Sequence, residues 1–431
     1  MIKGEIIFIL LLYLVLLPLS AYAQPYCSVR TFSIADGLGA NTISDMEQSD
    51  DGTMWIATWN GLCNYDGYTF KVFRGDGEKE QVLSTNRINI IESNSEDDLW
   101  CVTYDSKVYL FDCEKYRFES VNKIVERQFD VSLVARNVVT LGNGYSWILG
   151  KDNMSFRVSD RNLYEKEGFE LFDSKALCGS RIINKVVLDD NGQEWVFASD
   201  ATYLYNRRKK FDYLFDYVCN VAGKTYLASP NGQFAIYDSV RCDVRVIPLP
   251  KNIGGINNIL AFDSCYIVIA TESGSMLYDV RDESLRMIRA IGEKTGEVVD
   301  VYIDKQNRIW SFRADGNVSL VDISKDESYL LRCDMNDGTL TTSKKVLFHE
   351  DTNGTIWIVP KDRCFSYYDE EKHELVPYHL SGTLEGKSNG LNNIVKAFCD
   401  KQSNLWVTGE HNLLLVNFNK RNFFHIKTLD S

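Results

Sequence analysis

After Ser20 the sequence has no apolar stretch long enough to cross a membrane. Proline is scarce at 7 in 431 residues, while 45% of the chain is hydrophobic and 12% aromatic. That composition excludes a proline-rich linker or a disordered chain, and the length is enough for a large core or for two ordinary domains. Only 5 histidines occur, His349, His373, His379, His411 and His425, and no H-E-x-x-H or H-x-H joins them. Transition-metal chemistry is therefore not signalled. The 11 cysteines include no C-x-x-C, which removes structural zinc and thioredoxin-like redox chemistry. No G-x-S-x-G elbow is present. Basic residues fall short of acidic ones, 47 to 60, for a net charge of -13. Nucleic acid is excluded as a partner on that balance, because phosphate binding needs a basic face. A helical apolar period is also missing after the first residues.

The N-terminus carries Lys3, then IIFILLLYLVLLPLS, then Ala21-Tyr22-Ala23. A positive start, a short apolar run broken by Pro18 and small residues two apart describe a secretory signal peptide over 1–23, cleaved after Ala23. Cys27 follows Gln24-Pro25-Tyr26 rather than small residues, which speaks against a lipoprotein. Export permits disulfides. Most of the cysteines nevertheless fall inside apolar strand patterns, where a thiol acts as a small buried hydrophobe.

Tryptophan supplies the ruler. Trp55, Trp100, Trp147, Trp195, Trp310, Trp357 and Trp406 are separated by 45, 47, 48, 115, 47 and 49 residues. The long gap holds two copies without Trp, KTYLASPNGQFAIYD and YIVIATESGSMLYD. Nine units of about 45 residues result, the period of four-stranded blades. Each unit has a polar or small residue fourteen before Trp, an apolar residue two later, a Gly/Asn/Asp turn, the Trp strand, a second turn, and a strand closing on an aromatic plus Asp, as at Tyr65-Asp66 and Tyr368-Asp369. These are hairpin signals. The fold expected is an all-β β-propeller of four-stranded antiparallel blades, nine repeats with seven to nine blades in the ring. One ring over 24–431 and a seven-bladed ring over 24–335 followed by 336–431 as the start of a second both stay open. CSVRTFSI, ahead of the first unit, reads as an outer strand able to complete the last blade, although NFFHI offers that unit a fourth strand of its own. The Trp serves as a wedge between blades, and the turn Asp caps backbone N–H groups.

The stretch DGLGANTISDMEQSDDGTMWIATWNGLCNYDGYTFKVF resembles the two-component regulator propeller repeat. NRINIIESNSEDDLW, GTIWIVP and SNLWVTG carry the same likeness, which covers the mature chain with degenerate units three, five and six. The resemblance implies the first N-terminal sensor propeller of a bacterial hybrid two-component system, periplasmic and often responsive to glycan fragments. It implies further propeller repeats, a membrane span, a histidine kinase, a receiver and a DNA-binding domain in a full-length member, none of which these residues encode. The chain is then a fragment of a larger sensor, acting with further sensor and kinase domains, or a free-standing propeller working through a membrane partner. A homodimer stays open. The kinase activity belongs to the absent domains, so this chain is expected not to be an enzyme and to carry no cofactor.

Turn aspartates such as Asp189, Asp304, Asp351 and Asp400 recur once per unit. A turn residue has reason to repeat and a catalytic one does not. Two loop types should meet at one mouth of the channel, one ahead of the inner strand and one after the Trp strand. The first supplies Asn41, Asn86, Arg87 and Arg181, the second Trp59, Tyr104, Lys151, Arg313, Lys361 and His411. Trp59 is the one Trp outside the wedge position. An aromatic face there could stack on a sugar, with Arg and Lys holding hydroxyls or a uronate carboxylate. The expectation is a non-catalytic glycan or oligosaccharide sensor. A propeller glycosidase or lyase with paired carboxylates and a protein-interaction propeller are the alternatives.

Overall fold

The computed structural model describes residues 25, 27–75, 82–151, 154–162, 168–173, 182–332, 346–360, 366–378, 396–408 and 412–418. Nine four-stranded antiparallel sheets form the blades of a β-propeller. Blade 1 runs from inner to outer edge as Ile43–Gln48, Met54–Thr58, Gly61–Tyr65 and Phe70–Phe73. The Trp strands Met54–Thr58, Leu99–Thr103 and Ile309–Arg313 are buried along their whole length. Both of their faces are covered, so they read as continuous apolar runs rather than alternating ones.

Nine hydrophobic clusters hold the ring, each spanning one pair of adjacent blades. Alternation along the strand explains this. Trp55 points forward, its ring 5.4 Å from Phe111 of blade 2, while its neighbour Ile56 points back into the cluster with Trp406 of blade 9. In the two units without Trp, Tyr226 and Val268 take the forward position.

The ring closes through the N-terminal strand. Ser28–Phe32 pairs antiparallel with Leu413–Asn417 as the outer strand of blade 9. Phe32 is fully buried and stacks on Trp406 at 6.0 Å. CSVRTFSI thus does what its pattern indicated, and NFFHI lies outside the described residues.

The turn aspartates do double duty. Asp189, Asp304, Asp351 and Asp400 each accept backbone N–H groups two and four residues on through Oδ1. Through Oδ2 each accepts the indole N–H of the Trp six residues on, at 2.8 to 2.9 Å. Blades lacking that Asp find other acceptors: Ser49 for Trp55, Ser146 for Trp100 and Glu194 for Trp147.

One expectation is corrected. A helix, Val121–Phe129, follows blade 2 although no helical period was read there. Ser120 caps its N-terminus by accepting from the Lys123 N–H, and Asp130 ends it at φ 54°. Val121 and Val125 are buried, with Ile124 and Phe129 packed alongside. Two turns are too short for the spacing to stand out against nine units of strands.

Candidate ligand face

Connections that enter an inner strand and connections that follow a Trp strand share one end of the propeller. The proof is a repeated backbone bond between them. Trp59 N–H donates to Thr42 O at 3.2 Å, Tyr104 to Arg87 at 2.9 Å, Lys151 to Val134 at 2.8 Å, Ser199 to Ile182 at 2.9 Å, Glu272 to Gly255 at 3.1 Å and Ala314 to Glu297 at 3.0 Å. Adjacent blades are tied at this end too. Gly61 N–H donates to Asn86 O at 2.8 Å. Gly61 has φ 113°, and a Cβ there would stand 2.6 Å from Phe73 O, so the turn beside Trp59 requires glycine.

This geometry brings three of the candidates together. The Arg87 guanidinium lies 3.4 Å from the centre of the Trp59 ring and 3.8 Å from that of Tyr104. Trp59 is 47% exposed and Tyr104 59% exposed, so the outer faces of the sandwich meet solvent. Arg87 Nε is buried and unpaired, and no carboxylate of the described residues bonds its guanidinium. Lys151 extends the arc to blade 3 and donates to Ser106 Oγ at 2.6 Å.

The other candidates fall elsewhere. Asn41 Oδ1 accepts from Ile34 N–H and Asn86 Oδ1 from Gly75 N–H, both at 2.9 Å, so each braces a loop. Arg313 is buried, paired with Glu293 and with Asp315 at 3.3 Å, and donates to Lys294 O at 2.9 Å. Its guanidinium is consumed within the fold. Arg181, Lys361 and His411 lie outside the described residues.

Sequence reasoning missed the apolar side of this face. Ile34, Val134, Ile182, Leu214 and Ile291 are all exposed on connections into inner strands. Val134, Ile182, Leu214 and Ile291 stand beside the buried Leu133, Ile183, Phe215 and Ala290, so the sequence did not separate them from core positions. Two carboxylates of the inner strands were also missed. Glu47 accepts from Ser93 Oγ at 2.8 Å and Glu92 from Thr140 Oγ1 at 3.0 Å, each bridging to the next blade. Burial pushes both carboxyls above the usual range, and the Glu92 charge lifts Glu47 further. Among the described residues no three His, Cys, Asp or Glu gather as a metal site, and no helix is long and apolar enough to cross a membrane.

Comparison with known proteins gives a local match. The profile of the family described as Two component regulator propeller matches residues 37–60. A curated relative, Histidine kinase P4 of Formosa agariphila, is 36% identical over 55 residues, which is 13% of this chain and 4% of that protein. The extracellular domain described for a hybrid two component system of B. thetaiotaomicron is 14% identical with a TM-score of 0.38, over 88% of this chain and 57% of that one. Virginiamycin B lyase from Staphylococcus aureus is 9% identical with a TM-score of 0.38, over 91% of this chain and 99% of that one. The two structural likenesses are too weak to bear on chemistry. The chain is a β-propeller whose residues 37–60 match the two component regulator propeller family.

Proposed function

We propose that this chain is the periplasmic ligand-sensing propeller of a two-component system. Its ligand is an acidic oligosaccharide, and it carries out no catalysis itself. The observation that carries the reading is the Trp59–Arg87–Tyr104 sandwich. Two exposed rings offer apolar faces for sugar stacking, and the guanidinium between them has no carboxylate partner among the described residues, in a chain of net charge -13. A uronate carboxylate would supply it, in a fork geometry that arginine favours. The signal would pass to a histidine kinase, on the same polypeptide or on a membrane partner.

A second reading rests on the exposed Ile34, Val134, Ile182, Leu214 and Ile291 of the same face. Exposed apolar side chains on successive connections into inner strands favour a protein-docking surface where they adjoin. Thermal-shift screening against uronate-containing and neutral oligosaccharides separates the two, because a ligand that binds only the folded state raises its melting temperature. Stabilisation by acidic oligosaccharides that remain intact supports the sensor. Silence across the panel leaves the protein-docking reading, and cleavage of a ligand would restore the enzyme reading, with Glu47 and Glu92 as its acids.

A further inference from the structure

The repeats provide an internal comparison at the opposite end of the propeller, where the turns after inner strands and the turns before outer strands lie. Between blades 7 and 8, Arg308 stands two residues before Trp310. It donates Nε to Asp304 Oδ2 at 2.7 Å and Nη1 to both oxygens of Glu370 at 2.8 and 2.9 Å. Its guanidinium lies 5.5 Å from the Trp310 ring and 5.7 Å from the Tyr368 ring. Those two rings meet edge to face at 5.1 Å.

Between blades 9 and 1 the frame recurs without its filling. Trp406 and Tyr65 meet edge to face at 5.7 Å, and Asp400 accepts the Trp406 indole at 2.9 Å. Asn404 stands where Arg308 does, and Gly67 stands where Glu370 does. Asn404 Nδ2 reproduces the bond to the turn carboxylate, at 2.9 Å from Asp400 Oδ2. Its Oδ1 is buried and has no partner. Here the described residues line an open groove of about 410 Å³, with Arg30, Asp66 and Gln402 also on its walls. Arg30 donates Nη1 to Tyr65 Oη at 3.1 Å and has no carboxylate partner among the described residues.

We propose that this groove binds a small zwitterion of the basic amino acid class. A guanidinium or ammonium group enters at the position that the Arg308 head takes in the frame between blades 7 and 8, donates to the orphan Asn404 Oδ1 and is attracted by Asp66 and Asp400. The carboxylate at the other end pairs with Arg30. A simple anion would face the two aspartates, and a simple cation would face Arg30. A molecule with both charges meets each group with its opposite. The volume falls within the range of about 300–1,000 Å³ that holds small ligands.

The test is isothermal titration of the purified chain with L-arginine, with agmatine, which lacks the carboxylate, and with L-citrulline, whose neutral ureido group replaces the side-chain guanidinium while the α-ammonium remains. L-arginine binds, and each analogue binds about tenfold more weakly or less, the loss of one charge-assisted contact. Asn404→Arg fills the groove as Arg308 fills its own and abolishes L-arginine binding with the melting temperature kept. Arg30→Gln weakens L-arginine but not agmatine. If Asn404→Arg fails to fold, Asn404→Leu removes the acceptor together with the Nδ2 bond to Asp400 and weakens L-arginine by about tenfold. Absence of L-arginine binding, equal binding of arginine and agmatine, or binding that survives both Asn404 changes overturns the proposal.

Discussion

Trp310 donates its indole N–H to Asp304 Oδ2 at 2.8 Å, and the same carboxylate caps the Gln306 and Arg308 N–H groups of the turn before it. The bond ties the turn of a blade to the wedge that packs on the next blade. Asp400 holds Trp406 in the same way, with Asn404 Nδ2 as a fourth donor. Replacing Asp400 by Ala leaves those donors without their acceptor in a buried site, and should destabilise the fold by about 2–4 kcal/mol. Asp400→Asn keeps the shape and should lose roughly half as much. Urea unfolding of both variants checks the order.

The two classes of tryptophan should separate in the same assay. Trp310 is fully buried in the contact between blades 7 and 8. Trp310→Ala should therefore lose about 3–5 kcal/mol. Trp59→Ala, at an exposed ring, should stay within about 0.5 kcal/mol of the parent. A large loss at Trp59 would make its ring a packing element instead of a ligand platform.

The arginines of the candidate face should divide likewise. Arg313 and Glu293 are both buried and paired. Arg313→Ala strands the Glu293 charge and should destabilise by about 3–5 kcal/mol. Arg87→Ala removes an unpaired cation and should leave the unfolding midpoint nearly unchanged.

How much of this was legible in the sequence follows from what repeats. The Trp ruler, the turn Asp and the closing strand CSVRTFSI recur or pair by pattern, and they gave nine repeats and the packing of a blade while leaving seven to nine blades in the ring open. Arg87 and Arg313 show the limit. Arg87 precedes an inner strand and Arg313 ends a Trp strand, and only the fold shows that Glu293, twenty residues before Arg313, reaches it and silences it. The Asp-to-indole bond joins residues six apart through side chains, which no periodicity reports. The groove at the ring closure became visible only when Asn404 and Gly67 were set beside Arg308 and Glu370 in space.

His349 sets a pH dependence. It lies at 5% exposure with its Nδ1 3.3 Å from Cys399 Sγ, and burial pushes the imidazole below its ordinary value, against the pull of Asp351 and Asp400 and with a smaller push from Lys305. As pH falls, the unfolded chain therefore takes up this proton first. The stability His349 contributes is complete above about pH 6.5 and is lost as pH falls through the lowered folded value. Urea midpoints taken at about pH 7.5 and about pH 5.5 should show a smaller drop in His349→Gln than in the parent.

Thiol reactivity follows exposure. Of the eight described cysteines, all free, Cys399 is the exposed one. Burial pushes the Cys63 thiol up to about 11 and the Cys219 thiol to about 12. Titration of the native protein with an aromatic disulfide reagent should lose one fast equivalent in Cys399→Ser, whereas Cys63→Ser should change only the slow phase seen on unfolding.

The account turns on the Trp59–Arg87–Tyr104 sandwich as a ligand platform. The most direct measurement is calorimetric titration of a uronate-containing oligosaccharide that stabilises the parent, into the parent, Trp59→Ala and Arg87→Ala. The account predicts that both variants keep the parent's unfolding midpoint and bind at least about tenfold more weakly, with Arg87→Ala no longer preferring the acidic ligand to its neutral counterpart. Undiminished affinity in both variants would contradict it and move the ligand site away from this mouth.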